Sequence, residues 1–273
     1  MATVNNRMFD VLTLLRDTLK NGDLEKSKSI VSFALELSGE FSPYINKHGT
    51  EISEHVKQLV NVSQVTDWGQ LHNDGVTKIK LKPIMCSGDY EALLLQMLAR
   101  ITKTKNVLEI GMFVGSTTLA LAELESVRNV TTLDIEPYLL QIAEPIWTKA
   151  NVHDKIRVII DDGLKSLETL ASEKQKFDMI FIDANKDGYI DYYESILKHD
   201  LLSENGAIYV DDTLLDGHVW TGINPVYSHR DIYFPDPSQI HKFNQYVKAD
   251  NRVDVVFLPA RYGLSIITKR ANC

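Results

Sequence analysis

Two textures of hydrophobic patterning divide the chain near residue 84. In the first, Val11, Leu12, Leu14, Leu15 and Leu19 recur at the spacing of one helix face, and Ile30, Phe33, Ala34 and Leu37 repeat it. Ser42-Pro43 and Asn73-Asp74-Gly75 then punctuate the pattern, and loops are expected there. Residues 1–84 are therefore expected to form a helical N-terminal extension, a cap or dimer region, ahead of a separate domain at 85–273.

After residue 84 short apolar runs alternate with helical stretches. Ser87 is placed to cap a helix running through Leu93, Leu94, Leu98 and Ile101. Strands are expected at 106–110, 130–134, 156–160, 177–182 and 207–210, with helices at 189–197 and 237–248. Pro137 suits the first turn of another helix. The run 177–182 is almost wholly apolar, as a strand buried on both faces should be. Two last strands, 253–258 and 264–268, are separated only by Pro259-Ala260-Arg261-Tyr262-Gly263. That gap is too short for a parallel crossover and predicts an antiparallel hairpin. The expected fold is α/β: a doubly wound, Rossmann-like sheet of seven strands with a C-terminal antiparallel hairpin.

The formal net charge of -8 argues against a nucleic-acid partner. The longest basic cluster, Lys78-Ile79-Lys80-Leu81-Lys82, alternates with apolar residues and is expected to be a solvated strand edge or loop. Two cysteines, Cys86 and Cys273, cannot build a disulfide framework and suit a reducing compartment. The first residues lack the apolar core of a signal peptide, and no apolar run is long enough to span a membrane. A cytoplasmic protein with no membrane partner is expected.

Ligands of doubly wound sheets bind beyond the carboxyl ends of the strands. The polar residues fall there: Glu109 and Gly111, Asp134, Asp161 and Asp162, Asp183, and Asp211 and Asp212. Gly111 and Gly115 flank a tight strand-to-helix turn that lets a ligand approach the backbone. The turn lacks the dinucleotide pattern G-x-G-x-x-G, and Glu109 would oppose a pyrophosphate. A carboxylate there suits a cation, such as the sulfonium or ammonium of S-adenosylmethionine. Asp134 is placed to accept from ribose hydroxyls. Such a turn often serves helix packing alone; its company with Asp134 is what points to a cofactor.

Isolated aspartates after strands are often caps. Adjacent strand ends, however, would bring Asp183, Asp211 and Asp212 together, and three carboxylates in one place repel unless a cation or protons neutralise them. Oxygen ligands favour a hard divalent ion, Mg²⁺ or Ca²⁺. Lys186 lies three residues beyond Asp183 and could take a proton from a metal-bound hydroxyl if its own pKa were depressed.

With these residues the chain resembles the cation-dependent, S-adenosylmethionine-dependent O-methyltransferases of the caffeoyl-CoA and catechol type, which have the class I methyltransferase fold. The resemblance runs from about Met85 to the C-terminus, more loosely from Trp68. Its landmarks are Val107-Leu108-Glu109-Ile110-Gly111, Leu133-Asp134-Ile135, the stretch 181–193 and Asp211-Asp212-Thr213-Leu214. It implies cofactor contacts from Met85, Glu109, Gly111, Thr117, Asp134, Gly163, Asp183 and Tyr192. It also implies a divalent cation (Mg²⁺, with Ca²⁺ or Mn²⁺ as alternatives) on Asp183, Asp211 and Asp212, with Lys186 as base. The implied reaction methylates a hydroxyl of a small catechol-like or enediol-like molecule, and the implied assembly is a homodimer. The chain departs from the family in carrying Asp212 where asparagine is usual. His218, Trp220 and Tyr227, in the long stretch that ends at Tyr233-Phe234-Pro235, are candidates for the substrate pocket. Two other readings compete. One is a non-catalytic S-adenosylmethionine-fold module that binds a partner through its N-terminal helices; the other is a nicotinamide-dependent oxidoreductase, which the missing glycine pattern disfavours.

Overall fold

The computed structural model describes residues 4–217, 219 and 236–270. The chain divides into two compact units between Glu51 and Ile52. The first unit is a helical hairpin, α1 (Val4–Lys20) against α2 (Leu24–His48), turned at Gly22 with φ 76°. Asp23 caps α2 by accepting from the Lys26 N–H at 3.0 Å. The loop expected at Ser42-Pro43 is absent, because α2 runs through Pro43. Proline removes one intrahelical donor there, but the turns on either side carry the helix onward.

The second unit begins with α3 (Glu54–Val65), α4 (Trp68–Asn73) and α5 (Gly88–Ile101). The unit boundary therefore precedes the change of sequence texture at residue 84. Val56, Leu59, Trp68 and Leu81 are buried in the same apolar cluster as Val107 and Met179 of the sheet, so residues 52–84 fold with it. The turn expected at Asn73-Asp74-Gly75 ends α4, with Gly75 at φ 72°.

Strands and helices then alternate as β1 (Asn106–Ile110), α6 (Ser116–Ala122), β2 (Asn129–Asp134), α7 (Tyr138–Lys149), β3 (Ile156–Ile160), α8 (Gly163–Ser172), β4 (Phe177–Ile182), α9 (Tyr189–Lys198) and β5 (Leu202–Val210). The chain closes with α10 (Pro237–Ala249), β6 (Val253–Leu258) and β7 (Leu264–Lys269). The seven strands lie in the order β3-β2-β1-β4-β5-β7-β6. The first five are parallel, and β7 runs antiparallel to both β5 and β6, as the short link between the last strands required. Apolar residues cover both faces. Val107 and Met179 face one cluster with Leu121 and Trp147, while Leu108 and Ile180 face another with Tyr193 and Phe243. Burial on both sides explains why the central strands read as continuous apolar runs.

Strand order reverses between β1 and β4, and the register there places the site. Ile110 pairs with Leu133 on one side and Ile182 on the other, and Ile182 pairs with Val210. The ladder extends one residue further, through Gly111 N–H to Leu133 O, Asp183 N–H to Ile110 O and Asp211 N–H to Ile182 O. Gly111, Asp183 and Asp211 thus stand side by side at the carboxyl edge. Among the described residues, no helix is long and apolar enough to cross a membrane.

Candidate active site

A cavity of about 830 Å³ opens over this edge. Met85, Glu109, Gly111, Thr117, Asp134, Gly163, Asp183, Lys186, Tyr192, Asp211 and Asp212 all line it, so the fold brings every candidate cofactor, metal and base residue to one place. His218, Trp220 and Tyr227 lie outside the described residues.

The cofactor end is built on the glycine turn. Gly111 has φ 100°, and a Cβ on it would come within 2.0 Å of the Asp183 carbonyl oxygen. Gly115 has φ 73°, with the Trp147 indole where its Cβ would be. Between them, Met112 and Phe113 donate their N–H groups to Asp134 Oδ2 at 3.0 and 2.9 Å, while Asp134 Oδ1 accepts from Glu136 N–H at 2.9 Å. Asp134 therefore clamps the turn as well as facing the cavity, and Oδ1 keeps lone-pair capacity for a hydroxyl. Burial raises its pKa against the pull of these backbone donors.

Glu109 is fully buried. One oxygen, Oε2, accepts from the Thr118 hydroxyl and from the Thr132 hydroxyl at 2.6 Å; the other, Oε1, has no partner among the described residues. An orphaned carboxylate oxygen on a cavity wall fits a cationic or N–H donor from a ligand. Burial pushes the Glu109 carboxyl up to about 8, although both threonines pull it down. An unfolded chain would release that proton near 4.5. Between these values only the folded state keeps it, so this group's contribution to stability declines as pH rises from about 4.5 to 8 and is level above. The melting temperature of ligand-free protein is expected to fall across that window, and Glu109→Gln should flatten the fall. Equal slopes for both proteins would refute the assignment.

Two neighbours were not legible in the sequence. Glu136, wholly buried, accepts from Lys78 N–H at 2.5 Å and Ile79 N–H at 3.3 Å, which hangs the segment after α4 over the cofactor end. The basic cluster is the exposed loop expected of it at Lys78-Ile79-Lys80, and its alternate residues Ile79 and Leu81 also line the cavity. Glu91, at the start of α5, pairs with Arg261 across 3.0 Å, and Arg261 also lines the cavity. Burial pushes Glu91 up to about 7 against the pull of Arg261.

At the other end, carboxylate oxygens of Asp183, Asp211 and Asp212 lie within 4.8 Å of one another. Asp211 is buried, and burial, with Glu91, Asp212 and Asp183 nearby, raises its pKa well above the usual carboxylate range. Asp212 takes φ 61°, the left-handed region in which Asp and Asn are the least penalised side-chain-bearing residues. The Lys186 ammonium sits among them, 2.9 Å from Asp183 Oδ1, 2.8 Å from Asp212 Oδ2 and 2.6 Å from the Tyr189 hydroxyl. Three hard oxygen donors already gathered around a positive charge fit a divalent cation. The condition placed on Lys186 by sequence, a depressed pKa, is not met by the protein alone. Burial opposes its charge, but Asp183, Tyr189, Asp212 and Asp211 outweigh burial and hold it protonated well above the ordinary lysine range.

Known proteins match most of this chain. A family model described as O-methyltransferase matches residues 65–270. O-methyltransferase ankF of Aspergillus thermomutatus is 31% identical over 250 residues, covering 88% of this chain and 97% of that protein. Caffeoyl-CoA O-methyltransferase 5 of Nicotiana tabacum is 30% identical over 187 residues, 67% of this chain and 76% of that one. Among solved structures, the methyltransferase PaMTH1 of Podospora anserina, crystallised with SAH, superimposes with a TM-score of 0.69 at 25% identity, over 86% of this chain and 96% of that one.

Proposed function

The chain belongs to the O-methyltransferase family, and from that premise we propose that it moves the methyl group of S-adenosylmethionine to a hydroxyl of a small catechol-like or enediol-like molecule, assisted by a divalent cation. The observation that carries the proposal is the Lys186 ammonium shared by Asp183 and Asp212 beside buried Asp211, one strand end away from the glycine turn.

Met85, Glu109, Gly111, Thr117, Asp134, Gly163 and Tyr192 hold the cofactor. Gly111 admits it to the backbone, Glu109 Oε1 offers an acceptor for a positively charged donor, and Asp134 Oδ1 offers one for a ribose hydroxyl. Asp183 stands where the two halves meet and serves both. Asp183, Asp211 and Asp212 hold the cation. When bound, a divalent cation there, Mg²⁺ first and Ca²⁺ or Mn²⁺ as alternatives, would neutralise the carboxylates, acidify the acceptor hydroxyl and weaken the field that keeps Lys186 charged. Lys186 would be the group to take the acceptor's proton. The acceptor oxygen bonds to the methyl carbon as the carbon–sulfur bond breaks, leaving S-adenosylhomocysteine. Burial of the cluster strengthens each of these electrostatic interactions relative to water.

Lys186→Met tests the base. Methylation of catechol is expected to slow by about a thousandfold. Affinity for S-adenosylhomocysteine, read by calorimetry, should stay within about twofold, because Lys186 lies at the acceptor end. A variant that kept its turnover would place the base elsewhere.

A further inference from the structure

We propose that Glu136 is a positioning residue for the nucleoside end of the cofactor: its buried carboxylate holds the backbone at Lys78 and Ile79, which sets the Ile79 side chain against the bound base. The inference rests on the reading of Asp134 as the acceptor for a ribose hydroxyl. Glu136 itself does not touch the cofactor, since it is wholly buried and forms no part of the cavity wall.

The stretch 77–82 lies between α4 and α5 and belongs to no helix or strand, so no ladder fixes its path. Glu136 supplies an anchor. Its Oε2 accepts from the Lys78 N–H at 2.5 Å and the Ile79 N–H at 3.3 Å, while its Oε1 accepts from the Tyr138 N–H at 3.0 Å, at the start of α7. Three backbone donors thus end on one side chain with two acceptor oxygens. A carboxylate serves both sides at once. An amide has a single acceptor oxygen and would turn its own N–H donors on either the stretch or α7, leaving a backbone N–H unpaired.

The anchored residue stands where a base belongs. With a ribose hydroxyl on Asp134 Oδ1, the methyl-bearing sulfur must face the acceptor end at Asp183. The base, on the opposite side of the ribose, then lies towards Ile135 and Ile79. Both isoleucines line the cavity, yet they are 50% and 38% exposed. Large apolar side chains left open on a cavity wall fit the apolar faces of a purine. Leu81, two residues on, is buried in the apolar cluster that includes Val107 and Met179 of the sheet, so packing holds it. Ile79 belongs to neither apolar cluster, and its place depends on the two N–H bonds to Glu136.

The test is calorimetry of S-adenosylhomocysteine on the full chain, on Glu136→Gln, on Ile79→Ala and on the double variant. Each single change should weaken binding by about tenfold. The double variant should also be weaker by about tenfold rather than about a hundredfold, because both changes remove the same contact. With catechol as acceptor, KM for S-adenosylmethionine should rise by the same factor while kcat stays within about twofold. In ligand-free protein the Lys78 and Ile79 amides should exchange hydrogen faster in Glu136→Gln than in the unaltered chain. Ile79 is exposed, so Ile79→Ala keeps the fold, and unchanged affinity in that variant overturns the proposal by itself. Factors that multiply in the double variant overturn it too, since Glu136 would then act by a route other than Ile79. Unchanged affinity or unchanged exchange in Glu136→Gln contradicts it likewise. If the unaltered protein binds no S-adenosylhomocysteine, the reading of the cofactor end falls and this inference with it. Binding that survives both single changes removes this inference alone.

Discussion

Asp183→Ala should lower methyl transfer to catechol by about a thousandfold or more while the protein stays folded. Asp183 is the residue on which both halves of the site depend. Its backbone continues the ladder from β1 to β4, with its N–H on Ile110 O at 2.9 Å, and alanine keeps that bond. Its side chain does three things that alanine cannot. Oδ1 accepts from Lys186 at 2.9 Å, Oδ2 accepts from the Ser87 hydroxyl at 3.4 Å, and the carboxylate completes the trio with Asp211 and Asp212. Removing it leaves Lys186 held by Asp212 and Tyr189 alone and takes away one of three oxygen donors for the cation. The carboxylate is part-exposed at the cavity, so its loss opens no hole in either apolar cluster and stability should change little. Turnover within about tenfold of the unaltered protein would show that the carboxylate trio is not the acceptor site.

Gly111→Ala should cost about 3–5 kcal/mol of stability. The added Cβ would meet the Asp183 carbonyl oxygen at 2.0 Å and its carbonyl carbon at 2.7 Å, at a backbone φ of 100° that L side chains rarely adopt. Neither partner can step aside. Gly111 N–H is bonded to Leu133 O and Asp183 N–H to Ile110 O, so relief means breaking the parallel ladder at the centre of the sheet. Gly115→Ala is the informative comparison. Its Cβ would meet the Trp147 ring at 2.4 Å, which is as crowded, but a side chain can shift where a carbonyl cannot. Urea unfolding should therefore rank Gly111→Ala below Gly115→Ala, and an unchanged midpoint for Gly111→Ala would refute the backbone clash.

The sheet was legible because its constraints are local. A strand buried on both faces must be apolar throughout, as Phe177–Ile182 is, and a link as short as Pro259–Gly263 forces antiparallel strands. The carboxylate cluster was legible one step later, since neighbouring parallel strands in register bring their terminal residues together. What escaped depends on contacts distant in sequence. Nothing near Glu91 announces Arg261, 170 residues away. Glu136 reads as an ordinary helix-start acid until its bonds to Lys78 and Ile79 are seen. The alternation Lys78-Ile79-Lys80-Leu81-Lys82 does record a two-sided segment, but the cavity that its apolar side faces belongs to the whole fold. Pro43 misled because a strong local signal was overridden by a helix long enough to absorb one lost bond. The direction of the Lys186 pKa escaped for a physical reason as well: the neighbours that identify it as a base are the same carboxylates that keep it charged.

That tension makes the cation the test of the whole account. If Asp183, Asp211 and Asp212 hold Lys186 protonated until a divalent ion neutralises them, removing the ion disables acidification of the acceptor and the base together. The most direct measurement is transfer of labelled methyl from S-adenosylmethionine to catechol by the full chain, first after EDTA treatment and then with Mg²⁺ restored. The account predicts product with Mg²⁺, loss of at least about a hundredfold in EDTA and recovery on re-addition, with affinity for S-adenosylhomocysteine little changed throughout. Methyl transfer that proceeds at the same rate in EDTA would contradict it.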